Sequence, residues 1–196
     1  MDQNENALFL SEMTDVVPLK QSNCVFNNEA SQVTEAQLAK RAAAAQNEYL
    51  SKLPIDPALL MPIEPEEVVS YKLDGVQAEV FRHLRLGKYR YSRLIDLHAF
   101  RLSQAREYLI EQVLSSHSNG ERNLLVIHGK GFKSKPYPGL MKSAVCHWLS
   151  QLDEVQAYHS ATRERGGTGA VFVMLVKSDQ KRIESSEMNR KGSGFR

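Results

Sequence analysis

Leu-Leu-Val-Ile-His-Gly-Lys-Gly-Phe, residues 124–132, is the stretch on which the fold turns. Four consecutive apolar residues, two of them β-branched, run up to a glycine-bounded loop and predict a short buried strand rather than a turn of helix. The strand is expected to span 124–128 and to end at His128. Gly129 and Gly131 then let the backbone turn sharply or come close to a ligand, and Lys130 adds a mobile positive charge at the same point. Such a loop suits an anion, a phosphate above all.

Working upstream, Leu-Ile-Asp-Leu-His at 94–98 predicts the first core strand. Asp96 and His98 stand two residues apart on it and so project on one side. Ser103 is placed to cap a helix whose apolar face is Ala105, Leu109, Ile110, Val113 and Leu114, stopped by Asn119-Gly120. Strand, helix and strand in this order predict a right-handed crossover between parallel strands. Downstream, a second helix is expected from near Pro138, with Met141, Val145, Leu149 and Leu152 inward and Trp148 as a core anchor. Residues 155–159 predict a third strand and 170–176 a strongly apolar last one. The fold class is therefore α/β. If the third strand is parallel to the first two and the fourth returns by a hairpin, loop 160–169 opens onto the same sheet edge and brings Arg165, Gly167 and Gly169 to it.

The chain of 196 residues has room for one domain with extensions. Residues 1–70 are read as an N-terminal arm. It contains an apolar cluster (Leu8, Phe9, Leu10, Met13, Val16, Val17) suited to docking, a polar stretch, an Ala-rich helix over 36–49, and a run punctuated by Pro54, Pro57, Pro62 and Pro65 that is expected to cross a surface in extended form. Residues 71–93 are read as a basic helix and linker, with Val76, Val80 and Leu84 inward and Gly87 just past the helix end. Residues 94–177 form the α/β domain, and 178–196 a flexible tail. Cys24 and Cys146 are the only cysteines, with no CxxC pair and no secretory pattern, so a reducing, cytoplasmic setting is expected. The longest apolar run is far shorter than the roughly 20 residues of a membrane-spanning helix.

A net charge of +2 conceals an asymmetry: residues 1–81 hold five Lys/Arg against thirteen Asp/Glu, whereas 82–196 hold twenty against ten. The densest basic segment carries Arg82, Arg85, Lys88, Arg90 and Arg93 without an acid and interleaves Tyr89 and Tyr91. It could follow a phosphate backbone and offer rings for stacking, although a solvated helix face would carry the same charges.

At the carboxyl edge of two parallel strands, Asp96 and His98 would converge with His128. A carboxylate beside an imidazole fixes its tautomer and raises its basicity, while a second imidazole with a lysine could supply a proton and hold a phosphate. This combination fits phosphodiester cleavage. The bland alternative is two strand-end histidines satisfied by the backbone. Asp96, His98 and His128 would also suit a metal such as magnesium or manganese, and metal dependence stays open; no Cys/His spacing of a structural zinc site occurs. His83 and His147 read as surface or packing residues, and Lys133 and Lys135 as further phosphate contacts. The glycine loops match neither a Walker pattern nor a dinucleotide fingerprint, which disfavours a nucleotide enzyme.

Three motifs in order, Asp-Leu-His at 96–98 followed by Arg-Leu-Ser-Gln-Ala, His-Gly-Lys-Gly at 128–131, and Gly-Gly-Thr-Gly-Ala at 166–170, resemble the Smr (small MutS-related) domain over residues 95–177. Leu-Phe-Leu-Ser-Glu-Met-Thr-Asp-Val-Val-Pro-Leu-Lys at 8–20 and Leu-Arg-Leu-Gly-Lys-Tyr at 84–89 are similar to stand-alone bacterial Smr proteins of the SmrA type. The resemblance implies a two-layer βαβαββ sandwich similar to the carboxyl-terminal domain of translation initiation factor three. It also implies nucleic-acid binding and nicking endonuclease activity on DNA, or mRNA cleavage during ribosome rescue. Asp96, His98, His128 and Lys130 inherit the catalytic or phosphate-binding assignment, and Gly129, Gly131, Gly167 and Gly169 the loop role. Ala99 departs from the family, which commonly has glycine there. DNA, RNA and the ribosome are the expected partners of a monomer; RNA cleavage through its 2′-hydroxyl would need no metal. A non-catalytic module binding nucleic acid or the ribosome through the same basic edge is the competing expectation.

Overall fold

The computed structural model describes residues 34–178. In chain order the elements are α1 (Glu35–Lys52), a 3-10 turn (Pro57–Leu59), β1 (Ser70–Lys72), α2 (Ala78–Arg85), β2 (Arg93–Asp96), α3 (Leu102–Ser118), β3 (Asn123–Ile127), α4 (Leu140–Gln151), β4 (Val155–Ser160), two further 3-10 turns (Arg163–Arg165 and Gly167–Gly169) and β5 (Ala170–Leu175). The expected docking cluster at 8–17, the polar stretch before residue 34 and the tail beyond 178 lie outside the described residues. No helix among the described residues is long and apolar enough to cross a membrane.

Alternation along β3 explains the layering. Leu124 and Val126 enter the larger core cluster, packed with α1, α3 and α4, whereas Leu125 and Ile127 pack with Leu84, Val80 and Phe81 of α2. The sheet order is β1-β4-β5-β3-β2, which puts β5 at the centre with helices on both faces; all six of its residues are buried. β2 and β3 are parallel, with Ile95 opposite Val126 and Asp96 opposite Ile127. β5 is antiparallel to both β3 and β4, so β4 runs in the same sense as β2 and β3 and the last strand returns by a hairpin, as expected. Two helix starts differ from expectation. Ser103 lies within the first turn of α3, where Gln104 Oε1 instead accepts from the Arg101 amide at 3.4 Å. α4 begins at Leu140, because Gly139 with φ +76° turns the chain into it.

Described residues of the segment read as an arm pack into the domain. Tyr49, Leu53, Leu60 and Val69 are buried in the larger core, and β1 pairs with β4. Polar bonds fix this segment to the domain. Arg106 on α3 donates to the Leu50 and Leu53 carbonyls at the end of α1, at 3.0 and 2.6 Å. Trp148, fully buried as expected, donates Nε1–H to Pro54 O at 2.9 Å. The proline-punctuated run is thus a strap across α4 whose polar backbone is satisfied by helix side chains.

Lys142 secures the far end of the strap. Its side chain is fully buried, and Nζ donates to the carbonyls of Glu64 (2.8 Å), Pro65 (3.1 Å) and Glu67 (2.5 Å). Burial pushes the ammonium below its ordinary pKa. Next to it, Ser143 Oγ accepts from the Ile63 amide and donates to Gly139 O. Lys142→Met would strand the Pro65 and Glu67 carbonyls, Glu64 O keeping the Glu67 amide as donor, and is expected to lower stability by about 2–4 kcal/mol. Chemical denaturation reads that loss, and faster proteolysis within residues 61–67 reads release of the strap.

Candidate functional site

The carboxyl ends of β2 and β3 present the two sequence motifs side by side. Leu97 continues the ladder by donating to Ile127 O at 2.7 Å, after which the chain turns outward. Asp96 and His98 share the open side, as their spacing predicts. His98 Nδ1 lies 2.6 Å from Asp96 Oδ1, and the His98 amide donates to the same oxygen at 3.1 Å. Partial burial raises the Asp96 pKa, but the hydrogen bonds from the His98 ring and amide, with the ring's charge, outweigh it and hold the carboxyl below its ordinary value. A charged acceptor at Nδ1 selects the tautomer whose Nε2 is free, and the His98 side chain is 64% exposed. This pair can accept and return a proton at an open surface.

His128 sits differently. It is 2% exposed, and Nδ1–H donates to Gly129 O at 2.8 Å, leaving Nε2 buried without a hydrogen-bond partner. Burial pushes its pKa down to about 4, with Lys142 acting in the same direction against the Gly129 hydrogen bond. No hydrogen bond joins it to Asp96 or His98. The expected proton supply from His128 therefore does not match this state: the ring is neutral, and its one N–H is committed to the backbone. Nor do Asp96, His98 and His128 form the metal cluster considered from sequence; among the described residues no three His, Cys, Asp or Glu side chains are grouped to hold an ion.

The loop after His128 does join the pair. A side chain on Gly129 would come 3.8 Å from His98 Cβ, and φ is +74° there. The His128 and Gly129 amides both donate to Gly169 O, at 3.1 and 2.9 Å, so the two glycine loops are laced together. A Cβ on Gly169 would lie 3.4 Å from Lys130 Cγ. Gly131 turns the chain toward α4, its carbonyl accepting from Ser134 and Gly139, and Gly167 has positive φ in open space. Lys130 extends over the exposed Phe132 ring, with Nζ 5.7 Å from its centroid, and pairs with Glu66 of the strap at 3.3 Å.

The basic segment divides. Arg82 pairs with Glu79 on the exposed side of α2. Arg85 faces a groove of about 630 Å³ that Lys130 also lines. Lys88 and Arg90 line a second groove, of about 390 Å³, with Tyr89, Tyr91 and Arg165; Arg165 donates to Tyr91 Oη at 2.7 Å. Arg93 does not join them. Strand alternation places it with Ile95 on the helix-covered face, where it bonds Gln112 at 2.7 Å and Glu121 at 3.3 Å, so its assignment to the nucleic-acid face is corrected. Ala99 is exposed, and no described non-glycine residue has positive φ, so a glycine is not required there. Sequence reasoning missed Glu66, His159 and Arg163, which line the larger groove. The only available signal was the place of His159 at the end of an apolar strand.

Because the unfolded His128 takes up a proton near pH 6.5 and the folded one only near 4, the unfolded chain binds more protons between those values. Stability contributed by this group is therefore lost as pH falls through that window, by up to about 3 kcal/mol. Urea unfolding at pH 7.5 and pH 4.5 is expected to show this loss, with a shallower dependence in His128→Gln.

Known proteins agree with this architecture. A sequence model described as the Smr domain matches residues 95–176. The chain is 31% identical over 199 residues to a protein of Escherichia coli (strain K12) named probable DNA endonuclease SmrA, covering 98% of this chain and 100% of that one. It is 28% identical over 180 residues to the ribosome rescue factor SmrB of Shewanella oneidensis, covering 91% and 95%. The crystal structure of YdaL, a stand-alone small MutS-related protein from Escherichia coli, is similar with a TM-score of 0.55 and 33% identity, over 61% of this chain and 91% of that one. Near-complete coverage of and by the SmrA relative at 31% identity, with the fold shared with YdaL, places this chain in the Smr family.

Proposed function

We propose that the protein is an endonuclease that cuts phosphodiester bonds at the Asp96–His98 pair. The observation that carries the reading is the 2.6 Å contact between these side chains, set beside the Gly129–Lys130 loop at the open sheet edge. His98 Nε2 removes the proton from the attacking hydroxyl while Asp96 holds Nδ1–H and balances the imidazolium. The hydroxyl oxygen bonds to phosphorus, the bond to the leaving 5′-oxygen breaks, and the proton returns to that oxygen. With water as nucleophile the substrate is DNA; with the neighbouring 2′-hydroxyl it is RNA, and the product keeps a 5′-hydroxyl. Lys130 leaves Glu66 to neutralise the phosphate, an exchange made easy by the exposure of that ion pair. His128 serves as framework, its ring fixing the Gly129 carbonyl. The names of the SmrA and SmrB relatives support nucleic acid, and a ribosome carrying mRNA, as partners.

Purified protein incubated with supercoiled plasmid or labelled RNA, each with magnesium, manganese or EDTA, tests the reading. The native chain is expected to cut at least one substrate, and the EDTA arm reads metal dependence directly. Asp96→Ala with His98→Ala is expected to lose at least about 100-fold in rate while keeping its fold and its binding. Equal cutting by the folded double variant would overturn the assignment. Binding by both proteins with cutting by neither would favour a non-catalytic module.

Glu66→Gln removes the carboxylate that competes with phosphate for Lys130. Affinity for a single-stranded oligonucleotide at low salt is expected to rise about 2- to 5-fold, read by fluorescence anisotropy.

A further inference from the structure

The larger groove lies between α2, the end of β4 and the loop carrying Gly166–Thr168. Its volume of about 630 Å³ falls within the roughly 300–1,000 Å³ range of clefts that enclose small ligands. Two guanidinium groups, Arg85 and Arg163, line it, and neither has an ion-pair partner among the described residues. Thr168 Oγ1 is shielded from solvent and has no hydrogen-bond partner. Val68, 60% exposed, supplies an apolar wall that a bare phosphate would not need.

His159 completes the wall. Its Nδ1–H donates to Ser160 O at 2.8 Å, and its ring stands edge-on to Phe81 with centroids 6.1 Å apart. Nε2 takes part in no hydrogen bond, so it remains an acceptor for a sugar hydroxyl or a base amine. Burial holds this ring below its ordinary pKa and Arg85 adds to the effect, which keeps that lone pair available at neutral pH. Lys130, the residue after Gly129, forms one end of the groove. Lys130 thus links the groove to the Gly129 loop that meets His98.

We propose that this groove is a nucleotide subsite, in which Arg85 and Arg163 bind a phosphate while Val68 and His159 receive its nucleoside. Resting on the endonuclease reading, the occupant is a nucleotide of the strand being cut. The cations neutralise the phosphate, the Val68 surface covers an otherwise wet sugar or base face, and the His159 acceptor fixes its orientation.

Equilibrium binding to the full chain tests this with adenosine 5′-monophosphate and adenosine 3′-monophosphate, beside inorganic phosphate and adenosine. At least one monophosphate is expected to bind tenfold or more tightly than either fragment. Arg163→Ala and Val68→Glu, at exposed positions with little folding cost, are each expected to weaken that binding at least fivefold with unchanged circular dichroism. Phosphate binding as tightly as both monophosphates, or indifference to both substitutions, would overturn the subsite. The Asp96→Ala, His98→Ala double variant must retain monophosphate binding. A native chain that binds a monophosphate as predicted but cuts neither plasmid nor RNA would sink the endonuclease reading and leave the subsite standing.

Discussion

A buried ammonium with no carboxylate at ion-pair distance among the described residues is the constraint around which one side of this molecule is built. Lys142 loses its water on folding, and the cost of that desolvation is offset only because three carbonyls of the strap converge on it. The strap cannot be elsewhere while Lys142 is charged and buried. Gly139 is bound by the same requirement: a Cβ there would stand 2.3 Å from Ile63 O, so the start of α4 must be bare for the strap to pass. Two consequences reach the site. Glu66, between clamped neighbours, is held against Lys130, and the chain leaves the strap in register for β1 to pair with β4.

The strap was the least legible part of the chain. A lysine one turn into a helix looks like a solvated residue, and nothing in its neighbours tells that three carbonyls will surround it. The prolines argue against a continuous helix, and their segment was read as part of an arm crossing a surface in extended form. Leu53, Leu60 and Val69 are buried one at a time, as plugs between polar anchors, and such burial has no period to detect. By contrast, the β2–α3–β3 unit was legible almost to the residue, since its burial repeats with the period of each element.

Alternation also sets which face each site residue takes. Along β2 and the residue that continues its ladder, Ile95 and Leu97 are buried, whereas Asp96 and, past the strand end, His98 are open. His128, the residue after β3, keeps the parity of Leu124 and Val126 and is buried. Arg93 shares the parity of Ile95 and is drawn toward α3 in the same way. Arg93 was assigned with its neighbours in the basic segment, and His128 from its place at the carboxyl end of a parallel strand. Counting two residues along each strand would have separated them from the open edge.

The two histidines at this edge meet opposite surroundings. An imidazole that works as acid and base must change charge in contact with solvent or substrate, and His98 has an anionic partner for its protonated form. In His128 the low-dielectric surroundings oppose protonation, and Lys142 opposes it further. Its neutrality is useful where it stands. A ring that stays uncharged keeps Nδ1–H on Gly129 O, so the glycine loop beside His98 holds its shape. The clamp at Lys142 thus acts twice, by fixing Glu66 through the strap and by helping to hold His128 neutral. A substitution there should disturb the open edge without touching any residue on it.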